Sequence, residues 1–422
     1  MQDLLFLAHR IPFPPDKGDK IRSWNLLRHL AKRFRIHLGA FIDTPEDLRH
    51  APVLEVLCES AHFEVLNPGA ARRRSAKGLL TGEPLSFPYY RHGGMQAWAD
   101  SICERVKPVA GFAFSSQVAP YLLSGSIRKS APAMKRIFDF VDVDSAKWEE
   151  YAGGAPFPMD WVYRREARLL AAAEADLVQS ADATLLVTEA EAALLRRRSG
   201  LESAGIFPIG NGVDLPSDGT LAGLPDPYGG RPDEKAIVFT GAMDYRANVD
   251  AVTWFARDVL PLVRQAHPSV RFVICGSNPA PAVRALATDP AIAVTGRVGD
   301  VRGYVRHADV SVAPLRIARG LQNKVLEAMA LATPVVATPQ AFNGIDAVPG
   351  RDLLIGADAA ELAAATVSLL SDRALAAQVG RSARAAVGRT YAWPDQMASL
   401  DLVLAQIGIA LPLPQAAQVA SG

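Results

Sequence analysis

The sequence predicts an α/β protein made of two doubly wound, parallel-sheet domains, and three observations carry that prediction. Short apolar runs such as LLFLA and AIVFT alternate with helical patterns along nearly the whole chain, the order of a doubly wound sheet. At 422 residues with 49% apolar content, the chain is long for one domain and has ample material for two cores. Residues 215–235, LPSDGTLAGLPDPYGGRPDEK, break the alternation with a linker composition.

Composition excludes several classes of function. The net charge is +1, which gives no general attraction for nucleic acid, although the sequence through Arg136 holds 20 Lys plus Arg against 12 Asp plus Glu. Cys58, Cys103 and Cys275 are far apart and lack metal-ligand spacing, so each reads as a small buried hydrophobe in a reducing compartment. No run approaches the roughly 20 apolar residues that span a bilayer, and the N-terminus leads straight into a strand. The expectation is a cytoplasmic protein, with contact to the inner face of a membrane left open.

Leu4–Ala8 read as the first buried strand, and the loop HRIPFPPDKGDK follows, where prolines forbid helix and Gly18 permits close backbone approach. Asp19 is expected to cap the next helix. Its apolar stripe is Ile21, Trp24, Leu27, Leu30 and Phe34, and Arg22, Arg28, Lys32, Arg33 and Arg35 fall among the other positions. These basic residues, like Arg72, Arg73, Arg74 and Lys77, form either a solvated face, the favoured reading, or a surface for anionic lipid headgroups.

Arg35–Ile42 suit a second strand, with helices near Glu46–Glu59 and Gly94–Val106 and a strand at Gly111–Phe114. Between them GEPLSFPYYRH (82–92) reads as an irregular aromatic segment, either loop packing or the lining of an acceptor groove. Arg136–Val141 form a strand that leaves Asp142, Asp144 and Ser145 at the carboxyl edge of the sheet. Acids so close to a strand end can bind a metal, act as acid/base groups or cap a turn, and capping is the commonest use of isolated Asp residues. Ala183–Val187 form the next strand, Thr188 caps TEAEAALLRR, and Ile206–Ile209 precede Asn211, Gly212, Val213 and Asp214.

The second half repeats the order with AIVFT, a loop opening at Gly241, a helix with Val249, Val252, Phe255 and Val259 inward, then VRFVICGS and IAVTGRV. Its centre is VSVAPLRIARGLQNKVLEAMALATPVVAT (310–338): a strand at Val310–Ala313, a loop, a helix at Asn323–Ala330 and a strand at Val335–Thr338. Such a loop delivers backbone N–H groups and the positive end of a helix dipole to the sheet's carboxyl edge, where a diphosphate fits. Glu327, one turn inside, can accept hydrogen bonds from two ribose hydroxyls, and Lys324, Arg316 and Arg319 can supply countercharge. The alternative is a solvated glutamate among ordinary surface charges.

LQNKVLEAMALATPVVAT, after a strand ending in proline, resembles the signature of the retaining nucleotide-sugar glycosyltransferases of glycosyltransferase family 4. Their GT-B fold has two Rossmann-like doubly wound domains facing each other across a cleft. NGVD resembles the family's interdomain junction, GRVGDVRGYVRHADV its base-holding segment, and TYAWPDQ the point where the last helix crosses back. IFDFVDVDSAKW, with YRREARLL and LLVTEAEAALL, resembles the branch of sugar transferases associated with PEP-CTERM and exosortase systems.

The resemblance implies a 1–214 acceptor domain, a 215–235 linker, a 236–390 donor domain and a crossing helix at 391–410, and the Ala/Pro-rich composition of 411–422 implies a disordered tail. It implies that Glu327 binds the ribose, that amides at Gly320, Leu321, Gln322 and Asn323 meet the diphosphate, and that Val298 contacts the base. Gly18, Gly241 and Gly276 approach the donor. Three departures stand out: Arg319 replaces a second glutamate, Val141 replaces a histidine, and Ala242 or Met243 replaces an arginine that grips the diphosphate. Asp142 and Asp144, with Arg319 and Lys324, are the candidate catalytic residues in their stead, and Arg246 and Arg316 join Lys324 as sources of positive charge.

The resemblance further implies retention of configuration, no cofactor or obligatory metal, a nucleotide sugar as donor, and a glycan or polyprenyl-linked acceptor in exopolysaccharide biosynthesis. An epimerase of the same fold and a non-catalytic sugar-nucleotide-binding protein are the competing readings.

Overall fold

The computed structural model describes residues 1–15, 17–201, 205–229, 234–318 and 320–412. The chain divides into two compact units, Met1–Gly210 with Gln396–Gly422, and Asn211–Asp395. Residues 230–233 of the expected linker, and the expected tail from 413 onward, lie outside the described residues.

In the first unit a seven-stranded sheet is built from β1 (Gln2–Ala8), β2 (Phe34–Ile42), β3 (Ser60–Val65), β4 (Ala110–Phe114), β5 (Lys135–Val141), β6 (Ala183–Leu186) and β7 (Ile206–Pro208). Their order is β3-β2-β1-β4-β5-β6-β7, and every pairing is parallel. The order reverses between β1 and β4. The apolar runs are strands because both faces are covered: Leu4 through Ala8 and Ala110 through Phe114 are all buried. β3 has no counterpart in the sequence reading, since this edge strand is only half-buried and mixes polar with apolar residues.

Several local expectations are corrected. Asp19 does not cap the helix Gly18–Ala31; it lies in the first turn, and its carboxylate pairs with Arg10 and His9. Arg22, expected on a basic face, is buried in the core against Asp139. Ile21 and Trp24 are only half-buried, and the helix instead packs through Arg22, Ser23, Leu26, Leu27 and Leu30. The segment 82–92 contains a helical turn, Ser86–Tyr90, capped by the buried Glu166, which accepts from the Leu85 and Ser86 amides. The expected 46–59 helix is a 3-10 turn, Pro45–His50, followed by the short helix Ala51–Leu57.

In the second unit a six-stranded parallel sheet has the order β10-β9-β8-β11-β12-β13. The strands are β8 (Ala236–Thr240), β9 (Arg271–Cys275), β10 (Ile292–Gly296), β11 (Val310–Ala313), β12 (Val335–Ala337) and β13 (Leu354–Ile355). Here the order reverses between β8 and β11, so the loops after these two strands leave the same edge side by side. The helix Arg246–Trp254 passes into a π-helical segment, Phe255–Val259, just ahead of Pro261, which has no N–H to continue a regular α-helical ladder.

Candidate functional site

The switch point of the second sheet brings together four groups that the sequence keeps apart. Lys324, in the first turn of the helix Asn323–Ala330, directs its Nζ 4.4 Å from the centroid of the Phe239 ring on β8. The ammonium donates to Oδ1 of Asn248 on the helix after β8, and Asn248 Nδ2 donates to the Ala242 carbonyl at 2.8 Å. Gly241 has φ of 153°, and a Cβ there would lie 2.6 Å from Asn248 Nδ2 and 3.3 Å from Lys324 Nζ. Only glycine leaves room for this meeting.

Glu327 follows Lys324 by one turn and is half-buried. Burial pushes its carboxyl up to about 7, against the opposing pull of Lys324 and with a further push from Asp214. Burial likewise lowers the Lys324 amine to about 7, with Glu327 resisting. The two form a coupled pair poised near neutrality, a property that favours a functional site. The helix start has no side-chain cap from Gln322, and the first amides of any helix lack intrahelical acceptors. Gly320, at φ 64°, turns the chain into it.

The NGVD segment serves the same edge. Asn211 Nδ2 donates to Asn323 Oδ1 at 3.2 Å, and Asp214 acts electrostatically on Glu327. Gly212 is needed for packing, because a Cβ would come within 2.3 Å of the Trp393 ring, and Val213 donates to the Tyr391 carbonyl beside it. Gly276 has a similar structural reason: its Cβ would meet the Gly241 carbonyl oxygen at 1.6 Å, so its identity is fixed by the close approach of two loops.

Not every expected cation joins this cluster. Arg316 pairs with Asp250 through Nε at 3.0 Å and through Nη2, and lies 5.2 Å from the Trp254 ring centroid. With Arg246, Arg257 and Thr253 these residues line a separate surface groove of about 440 Å³. The charge of Arg316 is thus already countered by Asp250. Val298 is half-buried on the loop after β10, Leu321 is buried, and Arg319 lies outside the described residues.

In the first unit, Asp142 and Asp144 converge on Lys147, whose Nζ lies 2.8 Å from Asp142 Oδ2 and 3.4 Å from Asp144 Oδ1. Gln117 Nε2 also donates to Asp144 at 2.9 Å. Burial disfavours the ammonium, yet the two acids hold its pKa above the ordinary value. Neither caps the helix Asp144–Gly153: the Val143 amide donates to Glu191 and the Ser145 amide to Glu174, a buried acid pushed up to about 7. Among the described residues no group of three or more His, Cys, Asp or Glu is placed to hold a metal ion. Val141, just before them, is held at φ 69°, a left-handed conformation unfavourable for a β-branched residue. Gly18 opens the first helix, exposed.

Sequence reasoning missed Asn248 and Phe239, and in the first unit the network at the β1 end, where Arg10 bridges Asp19 and Asp43 and His9 stacks on Phe114. The available signal was positional: Asn248 follows seven residues after the loop-opening Gly241, and His9 directly follows β1. The lipid-facing reading of the basic clusters is reduced by pairing, since Arg33 binds Asp401, Arg35 binds Asp3 and Arg74 donates to the Pro88 and Tyr89 carbonyls. Arg28, Lys32, Arg72, Arg73 and Lys77 remain exposed. Among the described residues no helix is long and apolar enough to cross a membrane.

Residues 234–372, which contain the Lys324–Glu327 cluster, match the family model described as Glycosyl transferases group 1. No curated protein sequence matches the chain. Among solved structures, Alr3699/HepE of Anabaena in complex with UDP and glucose is similar at a TM-score of 0.66 and 14% identity, over 96% of this chain and 100% of that one. Sucrose-phosphate synthase of Thermosynechococcus elongatus is similar at 0.70 and 18%, over 96% and 99%. The fold is GT-B, with two Rossmann-like parallel-sheet units.

Proposed function

We propose that this protein is a retaining glycosyltransferase that moves a sugar from a nucleotide diphosphate to a glycan or lipid-linked acceptor, in the manner of family 4 and in the service of exopolysaccharide synthesis. The observation that carries the reading is the Lys324–Glu327 pair at the switch point of the second sheet, inside the stretch that matches the glycosyl transferase model.

In this reading Glu327 accepts the ribose hydroxyls, and the amides of Gly320 through Asn323 take the diphosphate. Lys324 meets the negative charge that grows on the leaving diphosphate as the glycosidic bond breaks, so its interaction strengthens toward the transition state. The diphosphate is served by amides and an ammonium, with no cofactor and no obligatory metal. Asp142 and Asp144 take the place of the donor-contacting histidine that Val141 does not supply, and Gly18, Gly241, Gly276 and Val298 approach the donor. Arg319, which replaces the family's second glutamate, is assigned to the donor sugar by sequence position. Arg246 and Arg316 act at the periphery, and exposed Arg28, Lys32, Arg72, Arg73 and Lys77 supply any contact with an anionic inner-membrane surface.

HepE, similar in fold, is described in complex with UDP-glucose, which makes UDP-sugars the first donors to try. A thermal-shift screen of UDP-, GDP- and ADP-sugars is expected to raise the Tm with one base family, by an amount that grows with the logarithm of ligand excess. Turnover with acceptor and none without it supports the transferase; conversion of the donor alone identifies an epimerase. Binding without turnover across a panel of glycan and lipid-linked acceptors overturns the catalytic assignment.

A further inference from the structure

The loop that follows β8, Gly241–Tyr245, contributes Asp244 and no basic side chain to the sheet edge. The cation at that place comes instead from the helix after β11. We propose that Asn248 is the positioning residue of the phosphate site: its carboxamide holds the Lys324 ammonium over the adjoining ends of β8 and β11, where a diphosphate is to be met. The proposal rests on the sugar-nucleotide reading of this edge and names the residue that prepares it.

Four observations support it. Asn248 is 6% exposed on a helix whose other buried residues are Ala247, Ala251, Val252 and Trp254, so its carboxamide is a deliberate polar element in an apolar face. Its orientation is determined chemically: the Ala242 carbonyl requires a donor and the ammonium requires an acceptor, so the NH2 end faces the loop and the oxygen faces Lys324. The absence of a side chain at Gly241 provides the space in which both groups meet.

The fourth observation is a contrast in charge. Arg316 is held by a carboxylate, Asp250, which cancels the charge that it fixes. Asn248 fixes Lys324 with a neutral acceptor, so the hydrogen bond that anchors the nitrogen brings no countercharge with it. A lysine on its flexible four-carbon stem, left without such an anchor, swings toward water. The charged groups that act on this ammonium are Glu327 on its own helix and Asp214, through Glu327. On the side of the helix Arg246–Trp254, Asp250 is engaged by Arg316, and Asp244 accepts from Asn278.

The test uses the full chain and two readouts. UDP is titrated calorimetrically into the parent and into Asn248→Ala, Asn248→Asp, Lys324→Met and the Asn248→Ala/Lys324→Met double variant. In parallel, the pH dependence of Lys324 acetylation by trace acetic anhydride is followed by peptide mass spectrometry, without nucleotide. Asn248→Ala is expected to weaken UDP at least about tenfold, with no further loss beyond twofold in the Lys324→Met background. The Lys324 labelling midpoint moves to higher pH in Asn248→Ala, where the released amine reaches water and escapes the burial that lowers it, and to higher pH in Asn248→Asp, where a carboxylate pairs with it.

Asn248→Asp also weakens UDP, since the added carboxylate cancels the ammonium. Being nearly isosteric, it carries both readouts if Asn248→Ala does not fold. UDP affinity within twofold of the parent in Asn248→Ala, losses that multiply in the double variant, or labelling midpoints that do not move would each overturn the proposal. A parent that binds no UDP, GDP or ADP overturns the sugar-nucleotide reading instead, and the labelling midpoints then report separately on whether Asn248 holds Lys324.

Discussion

Arg22 and Asp139, 117 positions apart, form a doubly hydrogen-bonded ion pair inside the first unit, with Nε to Oδ2 at 2.8 Å and Nη2 to Oδ1 at 3.2 Å. Both side chains are at most 1% exposed, and Arg22 also donates to the carbonyl of Ile209, the residue that follows β7. The pair ties the first helix to β5 and to the edge of the sheet. Removing one partner strands a buried charge, so Arg22→Met is expected to destabilise the protein by about 3–5 kcal/mol in urea unfolding. Arg22→Met with Asp139→Leu recovers a large part of that loss; a double variant no more stable than Arg22→Met would contradict this account.

Glu327→Ala is expected to reduce UDP affinity about 10- to 100-fold, since a hydrogen bond to a charged group contributes about 1.5–3 kcal/mol. Calorimetry at pH 8, where the parent carboxylate is ionised, gives the cleanest comparison. An unchanged dissociation constant removes Glu327 from the ribose site.

The coupled pair also sets a pH signature on stability. Glu327 is raised from 4.5 to about 7, so its contribution is intact below 4.5 and is lost as pH rises through 7. Lys324 is lowered from 10.5 to about 7, so its burial cost is full below 7 and relieved as pH approaches 10.5. The two costs overlap near neutrality. The Tm advantage of a Glu327→Gln/Lys324→Met variant over the ligand-free parent should therefore peak near pH 7 and shrink toward pH 5 and pH 9; a flat difference across that range would show that neither group is shifted.

Asp144 belongs to the first unit, whereas the ribose and diphosphate contacts proposed above belong to the second. Asp144→Asn is accordingly expected to lower kcat about 100-fold and to leave UDP affinity within twofold, in steady-state kinetics and calorimetry on the same sample. Full activity in this variant would reduce Asp144 to a partner of Lys147 and Gln117.

Val141 carries a left-handed backbone at φ 69° that costs a β-branched residue about 1–2 kcal/mol relative to glycine. Set against glycine's greater freedom in the unfolded chain, Val141→Gly is expected to raise stability by about 0.5–1 kcal/mol in urea unfolding. A loss of stability would mean that packing of the isopropyl group outweighs the strain.

Much of the architecture was legible because parallel strands and their helices are local patterns. LLFLA, AIVFT and VSVA are strands as read, NKVLEAMA is a helix, and Thr188 caps the following helix through the Glu191 amide. β3 was not legible, because an edge strand with polar residues has no apolar run to reveal it. Asp19 is not a cap because its strong partners, Arg10 and His9, lie across a loop rather than within the helix, and no local pattern reveals them.

The order of residues alone therefore established a two-part parallel α/β chain, because periodicity and glycine placement are properties of neighbours along the chain, and the resemblance of LQNKVLEAMALATPVVAT to a glycosyltransferase signature pointed to Lys324 and Glu327. Folding assigned the partners: Arg22 to Asp139, Arg316 to Asp250, and Lys324 to Asn248 at a separation of 76 residues. Which charge is cancelled, and which is left available, depends on the loops that a strand order brings to one edge, and no local pattern encodes that neighbourhood.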